Sequence, residues 1–165
     1  MKSIIKLRKI KKDDLKYFLK WWKDKDLIKL TSGIYEESDD ILNGYFINFL
    51  KNSQNNHFII LHNNKVVGNI SLTHKNTETV EMHIVIGEKE YQSKGYGTLA
   101  INQAVKKAFG KLEYQKIFIE VRSDNLRAIR VYEKCGFTKK GLKKYPDNKY
   151  QPLVLKMILQ KVMCK

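Results

Sequence analysis

A glycine-containing segment near the middle of the chain has the residue types that bind phosphate. Residues 92–98 join an apolar run to a helical pattern and include Gly95 and Gly97. Glycines let the backbone approach an anion closely, and the free N–H groups and the dipole at the start of a helix favour negative charge. We expect a pyrophosphate to bind here, lined by Gln92, Ser93, Lys94, Gly95, Tyr96, Gly97 and Thr98.

Two other phosphate-binding motifs fit this segment poorly. The glycines satisfy G-x-G-x-x-G/A, and Glu120 follows at the end of the next apolar run, where a dinucleotide fold has an acid on the ribose. In that fold the first glycine follows its strand almost directly, whereas residues 87–94 intervene here. A Walker loop is excluded because no Gly-Lys-Ser/Thr follows.

Side chains that can accept a proton precede the glycine segment. Period-2 alternation over TVEMHIVI, residues 79–86, places Glu81 and His83 on one face of a strand. A histidine titrates near neutral pH and can take a proton from an amine. The same alternation also has structural explanations: Glu81 can form a surface ion pair, and His83 can be a hydrogen-bonded strand residue. A β-bulge in this strand would change which side chains share a face. The sequence leaves open which of the two, if either, is a general base.

A second block strengthens the functional interpretation. Residues 125–137 are NLRAIRVYEKCGF, which resembles the signature N-x-x-A-x-x-x-Y-x-x-x-G-F of the GCN5-related N-acetyltransferase (GNAT) family. Gln92, Gly95 and Gly97 match that family's other signature, Gln/Arg-x-x-Gly-x-Gly/Ala, in the right order. The resemblance covers nearly the whole chain and is closest to the branch with ribosomal-protein alanine and spermidine acetyltransferases. It implies that the glycine segment binds the phosphates of acetyl-CoA.

The resemblance also implies roles for individual residues. In the family, the strand before the loop splays from its neighbour and its backbone pairs with pantetheine, which by position concerns Ile84, Val85 and Ile86. Tyr132 matches the position whose phenol protonates the leaving thiolate, although it can also be a helix aromatic packed on the sheet. Asn125 matches a partner of the cofactor and is a good helix N-cap.

The acceptor of the acetyl group is less well defined by sequence. In many members of the family a glutamate near Glu81 relays the proton of the amine through water. The run EESDD, residues 36–40, lies where this fold overhangs its acceptor cleft, so Glu36 and Glu37 can hold a polyamine or an aminoglycoside. Acids also suit the first turn of a helix whatever the function. A protein N-terminus is a further candidate acceptor.

Hydrophobic periodicity predicts the elements that position these residues. The predicted order is β α α β β β α β α β β, with Asn63-Asn64 in a tight hairpin, Gly110 ending a helix and Pro152 bending the last strand. This order predicts one domain over residues 1–165, an α/β fold with a single mixed, mostly antiparallel sheet and helices on both faces, as in acyl-CoA N-acyltransferases. The predicted buried side of the second helix contains Ile41, Leu42, Tyr45, Phe46 and Phe49.

Composition bounds the location and partners. The formal net charge of +15 is consistent with a polyanionic partner. It is equally consistent with a surface of solvated lysines that binds no partner. No apolar run is long enough for a signal peptide or a membrane span, and two cysteines form no metal or disulfide framework, so we expect a cytoplasmic protein without metal or membrane partner. The contrasting function is a non-catalytic CoA-sensing or RNA- or ribosome-binding protein, and a homodimer is a further prediction.

Overall fold

Alternating apolar and polar residues build one seven-stranded sheet in a computed structural model, which describes residues 5–31, 36–148 and 153–162. The strands are β1 (Ile5–Lys9), β2 (Asn56–His62), β3 (Lys65–His74), β4 (Thr79–Ile86), β5 (Lys116–Arg122), β6 (Thr138–Lys144) and β7 (Leu153–Gln160). Their spatial order is β1-β2-β3-β4-β5-β7-β6, and only β4 and β5 run parallel. The predicted mixed, mostly antiparallel sheet is therefore confirmed.

In the described part of the chain five α-helices flank the sheet: α1 (Leu15–Trp22), α2 (Lys25–Leu30), α3 (Asp39–Lys51), α4 (Tyr96–Lys106) and α5 (Leu126–Lys134). The Ser38 hydroxyl accepts a hydrogen bond from the Ile41 N–H, which caps α3. Asn63 and Asn64 have φ of 48° and 65°, so the predicted tight hairpin between β2 and β3 is also confirmed.

Helices cover both faces of the sheet, as predicted. On one face α4 and α5 bury an apolar cluster that includes Met82, Ile101 and Ile117. On the other face α1, α2 and α3 pack over β2, where the fully buried Ile59 contacts a cluster that includes Phe18 and Phe46. The sheet is thereby held between two separate cores.

The buried stripe of α3 is narrower than the sequence suggests. Leu42 and Phe46 are buried, whereas Ile41 and Tyr45 are 45% and 41% exposed, so their predicted burial was wrong. Residues 42, 46 and 49 follow one another at i, i+4 and i+7 and form one line along the helix. Residues 41 and 45 lie about 100° away from that line and miss the sheet.

Two helix boundaries also differ from the prediction. The predicted order has two helices before the second strand, whereas the structure has three, because Asp24 starts a separate helix by accepting hydrogen bonds from the Asp26 and Leu27 N–H groups at 3.0 and 3.3 Å. Gly110 does not end the helix after the glycine segment, since a wide turn over Lys107–Lys111 passes through it. Glu113 takes the left-handed conformation instead, with φ of 58°.

Some predictions lie outside the described residues, among them the bend at Pro152 and the position of Cys164. Among the described residues, no helix is long and apolar enough to cross a membrane. Within the same ranges, no cluster of metal-binding side chains occurs.

Candidate functional site

The parallel strands β4 and β5 separate partway along their length. They pair at only three positions, the last of which joins Glu81 to Phe118, although β4 continues to Ile86 and β5 to Arg122. On their other sides β4 stays paired with β3 up to Ile86, and β5 with β7 up to Arg122. The facing edges beyond Glu81 therefore have backbone groups without a strand partner, which an extended ligand can satisfy. Ile84, Val85 and Ile86 lie on this edge, where the sequence placed them.

The glycine segment closes the end of this cleft. The Gln92 side chain donates a hydrogen bond to the Ile86 carbonyl at 3.0 Å, so it braces the loop against β4. Ser93 and Gly95 have φ of 60° and 83°, and no side chain caps the first turn of α4. The exposed N–H groups at the start of α4 thus form a cup for an anion.

The remaining lining residues contribute in different ways. The Tyr96 ring packs on His62 and Tyr91, with centroids 4.5 and 5.6 Å away, so only its backbone faces the cup. Lys94 is exposed and Thr98 is half-buried. A Cβ on Gly97 would come no closer than 3.9 Å to Ile86, so the packing of the protein itself leaves room for a side chain at this position.

Arg127 joins this cup, which sequence reasoning did not anticipate. Its Nη1 donates a hydrogen bond to the Ser93 hydroxyl at 2.9 Å. Arg127 lies in the first turn of α5, and neither α4 nor α5 has an acidic residue in its first turn. A cation at a helix N-terminus opposes the helix dipole, and that position was the available signal of an anion site.

Asn125 has structural partners on both sides of its amide. Its Oδ1 accepts a hydrogen bond from the Ala128 N–H at 3.1 Å, which confirms the predicted N-cap of α5. Its Nδ2 donates to the Leu30 carbonyl at 3.1 Å. Asn125 therefore ties the start of α5 to the end of α2, while its role toward a cofactor stays a prediction.

Tyr132 lies on the inner face of α5. Its side chain is buried against Phe137, whose ring meets it edge-on at a centroid distance of 6.0 Å. Burial, with a smaller contribution from Cys135, raises the pKa of Tyr132 to about 12. The phenol therefore keeps its proton at neutral pH and can donate a hydrogen bond to an anion.

Glu81 and His83 share one face of β4, as the alternation predicts. The Glu81 carboxylate is buried, with Lys75 Nζ 2.6 Å from Oε2 and His83 Nε2 3.4 Å from Oε1. Burial acts to raise the pKa of Glu81, but the hydrogen bonds and charges of His83 and Lys75 outweigh it and hold that pKa at about 2. His83 is half-exposed and presents the rest of its ring to solvent.

Glu120 lies across the cleft from His83. Each of these residues is two positions beyond the last pair, Glu81 and Phe118, and side chains two apart share a face. Glu120 accepts hydrogen bonds from the Tyr145 hydroxyl at 2.5 Å and from Lys143 at 3.3 Å. The sequence contained a signal for this second carboxylate, because period-2 alternation on β5 places Glu120 on the same face as Phe118.

The predicted acceptor-binding acids lie at the entrance to α3. Glu36 and Glu37 are exposed there, before the Ser38 cap. The next acid, Asp39, forms an ion pair with Lys23 of the loop after α1. α3 packs on the same face as His83, since its Phe49 stacks on His57 and His57 pairs across β3 toward His83.

Comparison with known proteins agrees with this geometry. The model of the acetyltransferase (GNAT) domain matches residues 5–138. The chain is 26% identical over 144 residues to spermidine N(1)-acetyltransferase of Vibrio cholerae, covering 86% of this chain and 83% of that protein.

Two solved structures share the fold. A Vibrio cholerae spermidine N-acetyltransferase in complex with CoA and spermine superposes with a TM-score of 0.84 and 24% identity, over 94% of this chain and 95% of that one. The aminoglycoside acetyltransferase AAC(6′)-Ib in complex with coenzyme A gives 0.81 and 20%, over 96% and 95%. At these identities the two structures show a common fold.

Proposed function

The chain belongs to the acetyltransferase (GNAT) family, and from that premise we propose that it transfers the acetyl group of acetyl-CoA to a primary amine of a small polycation. The observation that carries this proposal is the separation of β4 from β5 after Glu81 and Phe118, with an anion cup at one end and ionisable side chains on one face. Family membership favours an enzyme over a non-catalytic CoA-sensing or RNA-binding protein.

The residues present fit acetyl-CoA. The uncapped start of α4 and the left-handed Ser93 and Gly95 suit a pyrophosphate, with Arg127 beside them. The free edge of β4 at residues 84–86 suits the amide groups of pantetheine. When bound, acetyl-CoA supplies the thioester carbonyl that the amine attacks.

Tyr132 is the proposed acid. Because its pKa is raised to about 12, the phenol stays protonated and donates a hydrogen bond to the developing thiolate. The amine attacks directly, without an acyl-enzyme. Cys135 is a poor nucleophile because burial raises the pKa of its thiol.

The acceptor is proposed to be a polyamine-like cation. Glu120 lies on β5 two positions beyond the last pair with β4, and Glu36 and Glu37 precede α3, the helix that packs on the same face of the sheet as His83. A polycation with several amines can contact more than one of these carboxylates at once, which offsets repulsion by the net charge of +15. Similarity to a spermidine acetyltransferase over most of the chain supports a polyamine over an aminoglycoside or a protein N-terminus.

An acceptor panel tests this proposal. Purified protein with acetyl-CoA is offered spermidine, spermine, kanamycin and an alanine-terminated peptide, and released thiol and product mass are measured. We expect turnover with the two polyamines. The double variant E36Q/E37Q should raise KM for spermidine about tenfold while KM for acetyl-CoA stays constant. Turnover with the peptide alone would overturn the polyamine proposal.

Location and assembly are part of the same proposal. Two cysteines in 165 residues suit a reducing compartment, and we place the enzyme in the cytoplasm. A homodimer and a contact with the ribosome stay predictions, to be tested by sedimentation of the protein alone and with ribosomes.

A further inference from the structure

Lys75 is a charged residue at the candidate site to which the sequence assigned no role. It lies in the turn between β3 and β4, and its Nζ is 2.6 Å from Glu81 Oε2. The other carboxylate oxygen, Oε1, faces His83 Nε2 at 3.4 Å. The three side chains form a row in which Glu81 lies between the side chains of Lys75 and His83.

We propose that Lys75 is a positioning residue that neutralises Glu81, so that His83, and not Glu81, takes the proton from the acceptor amine. The assignment rests on the proposed acetyl transfer. It deepens that function by naming the base and the residue that tunes it.

Geometry makes Glu81 an unsuitable base. Its side chain is only 10% exposed, and each of its oxygens already faces a partner. An anion held in this way is a weak proton acceptor, because protonation would break both contacts. His83 is half-exposed, and its Nε2 is the ring nitrogen that faces Glu81.

The contact with Glu81 favours one tautomer of His83, the one in which Nδ1 can accept a proton. In the tautomer whose Nε2 carries the proton toward Glu81 Oε1, 3.4 Å away, the lone pair is on Nδ1. That lone pair takes one proton from the ammonium, which gives a neutral amine and an imidazolium. Lys75 offsets part of the carboxylate charge that faces His83 from Glu81.

Other charges face His83 from the neighbouring elements. Glu120 stands across the cleft on β5, and His57 lies two strands away on β2 beyond Ser71. Lys156 of β7 lies over the Phe118 ring at 4.3 Å, and Lys75 lies over the same ring at 5.9 Å. Ion pairs at Glu81 come from Lys75 and His83 among the described residues, and none comes from Lys156. The two lysines therefore form a matched pair.

The test follows the His83 imidazole by NMR in the protein without cofactor, as pH is varied. In K75M the titration midpoint of His83 should rise by about one pH unit, since the full Glu81 charge then stabilises the imidazolium. In K156M the midpoint should stay close to that of the wild type. In the E81Q background, K75M should shift the midpoint little, because the carboxylate that transmits the effect is absent.

Activity gives the second readout. The acidic limb of the kcat/KM profile should move to higher pH in K75M by the same amount and keep its position in K156M. An unmoved His83 midpoint in folded K75M would overturn the role of Lys75. A wild type that acetylates no amine would instead refute the proposed function, while the NMR result would still decide the electrostatic arrangement.

Discussion

Glu81 of β4 and Phe118 of β5 are the last residues at which these two parallel strands pair. Each strand remains bonded to its other neighbour, so the sheet stays intact while a cleft opens inside it. His83 and Glu120 follow on the two sides of that opening, and the uncapped start of α4 lies beyond its end. The separation of these two strands thus opens the cleft and exposes the face of β4 that carries His83.

Replacing Tyr132 with Phe should remove catalysis and leave binding intact. We expect kcat to fall by about a hundredfold or more, the usual contribution of a positioned acid, with the Kd for acetyl-CoA unchanged. Thiol release and calorimetry measure the two effects. The matched control is Y114F, which removes a tyrosine hydroxyl that bonds to His74. This variant should keep full activity. Undiminished turnover in Y132F would take Tyr132 out of the reaction.

Replacing Arg127 with Gln should weaken binding of the phosphate groups of acetyl-CoA. We expect about tenfold weaker binding of acetyl-CoA, because a charge-assisted hydrogen bond is lost. Calorimetry with 3′-dephospho-CoA and with pantetheine shows which phosphate Arg127 contacts. The control K140Q removes one exposed charge from β6 and should bind normally. An equal loss of affinity for pantetheine, which has no phosphate, would contradict this role.

Replacing His57 with Phe should make the fold less sensitive to acid. The ring stacks on Phe49 at 4.2 Å, and its buried Nε2 has no partner among the described residues. Burial, and then the charge of His83, lowers the pKa of His57 to about 4.

The sign of the effect follows from proton linkage. Between pH 6.5 and about 4 the unfolded chain binds the proton at residue 57 and the folded chain does not. The stabilisation is therefore complete above pH 6.5 and falls by about 1.4 kcal/mol per pH unit as the pH drops toward 4. Urea unfolding at pH 7 and pH 5 should show a smaller difference in H57F than in the wild type. An equal difference would mean that another group titrates.

Replacing Gly87 with Ala should destabilise the loop after β4. A Cβ there would lie 2.2 Å from the Trp21 ring, and Trp21 is itself held by a hydrogen bond from its indole N–H to Glu88 at 3.0 Å. We expect a loss of about 2 kcal/mol. G44A is the matched control in α3, where a Cβ meets no atom within 4 Å, and should gain about 0.5 kcal/mol. Thermal unfolding compares them, and a G87A as stable as the wild type would refute the close contact.

The fold could be predicted from sequence wherever the signal was local. The Asn63-Asn64 turn and the cap at Asn125 depend on residues within a few positions of one another, and both predictions were confirmed. Burial of Ile41 was predicted wrongly because helical periodicity gives an apolar side but not the width of the surface that meets it.

The sequence by itself determined the family, the position of the glycine segment before a helix and the face of β4 that carries Glu81 and His83, because motif spacing and strand alternation are written along the chain. Tertiary structure alone decided where β4 leaves β5, since that depends on how far two distant segments stay in register. It also decided which charges meet. Arg127 reaches Ser93 from 34 residues away, and Lys75 folds back onto Glu81. Electrostatic tuning of the site depends on such distances between atoms, which spacing in sequence does not specify.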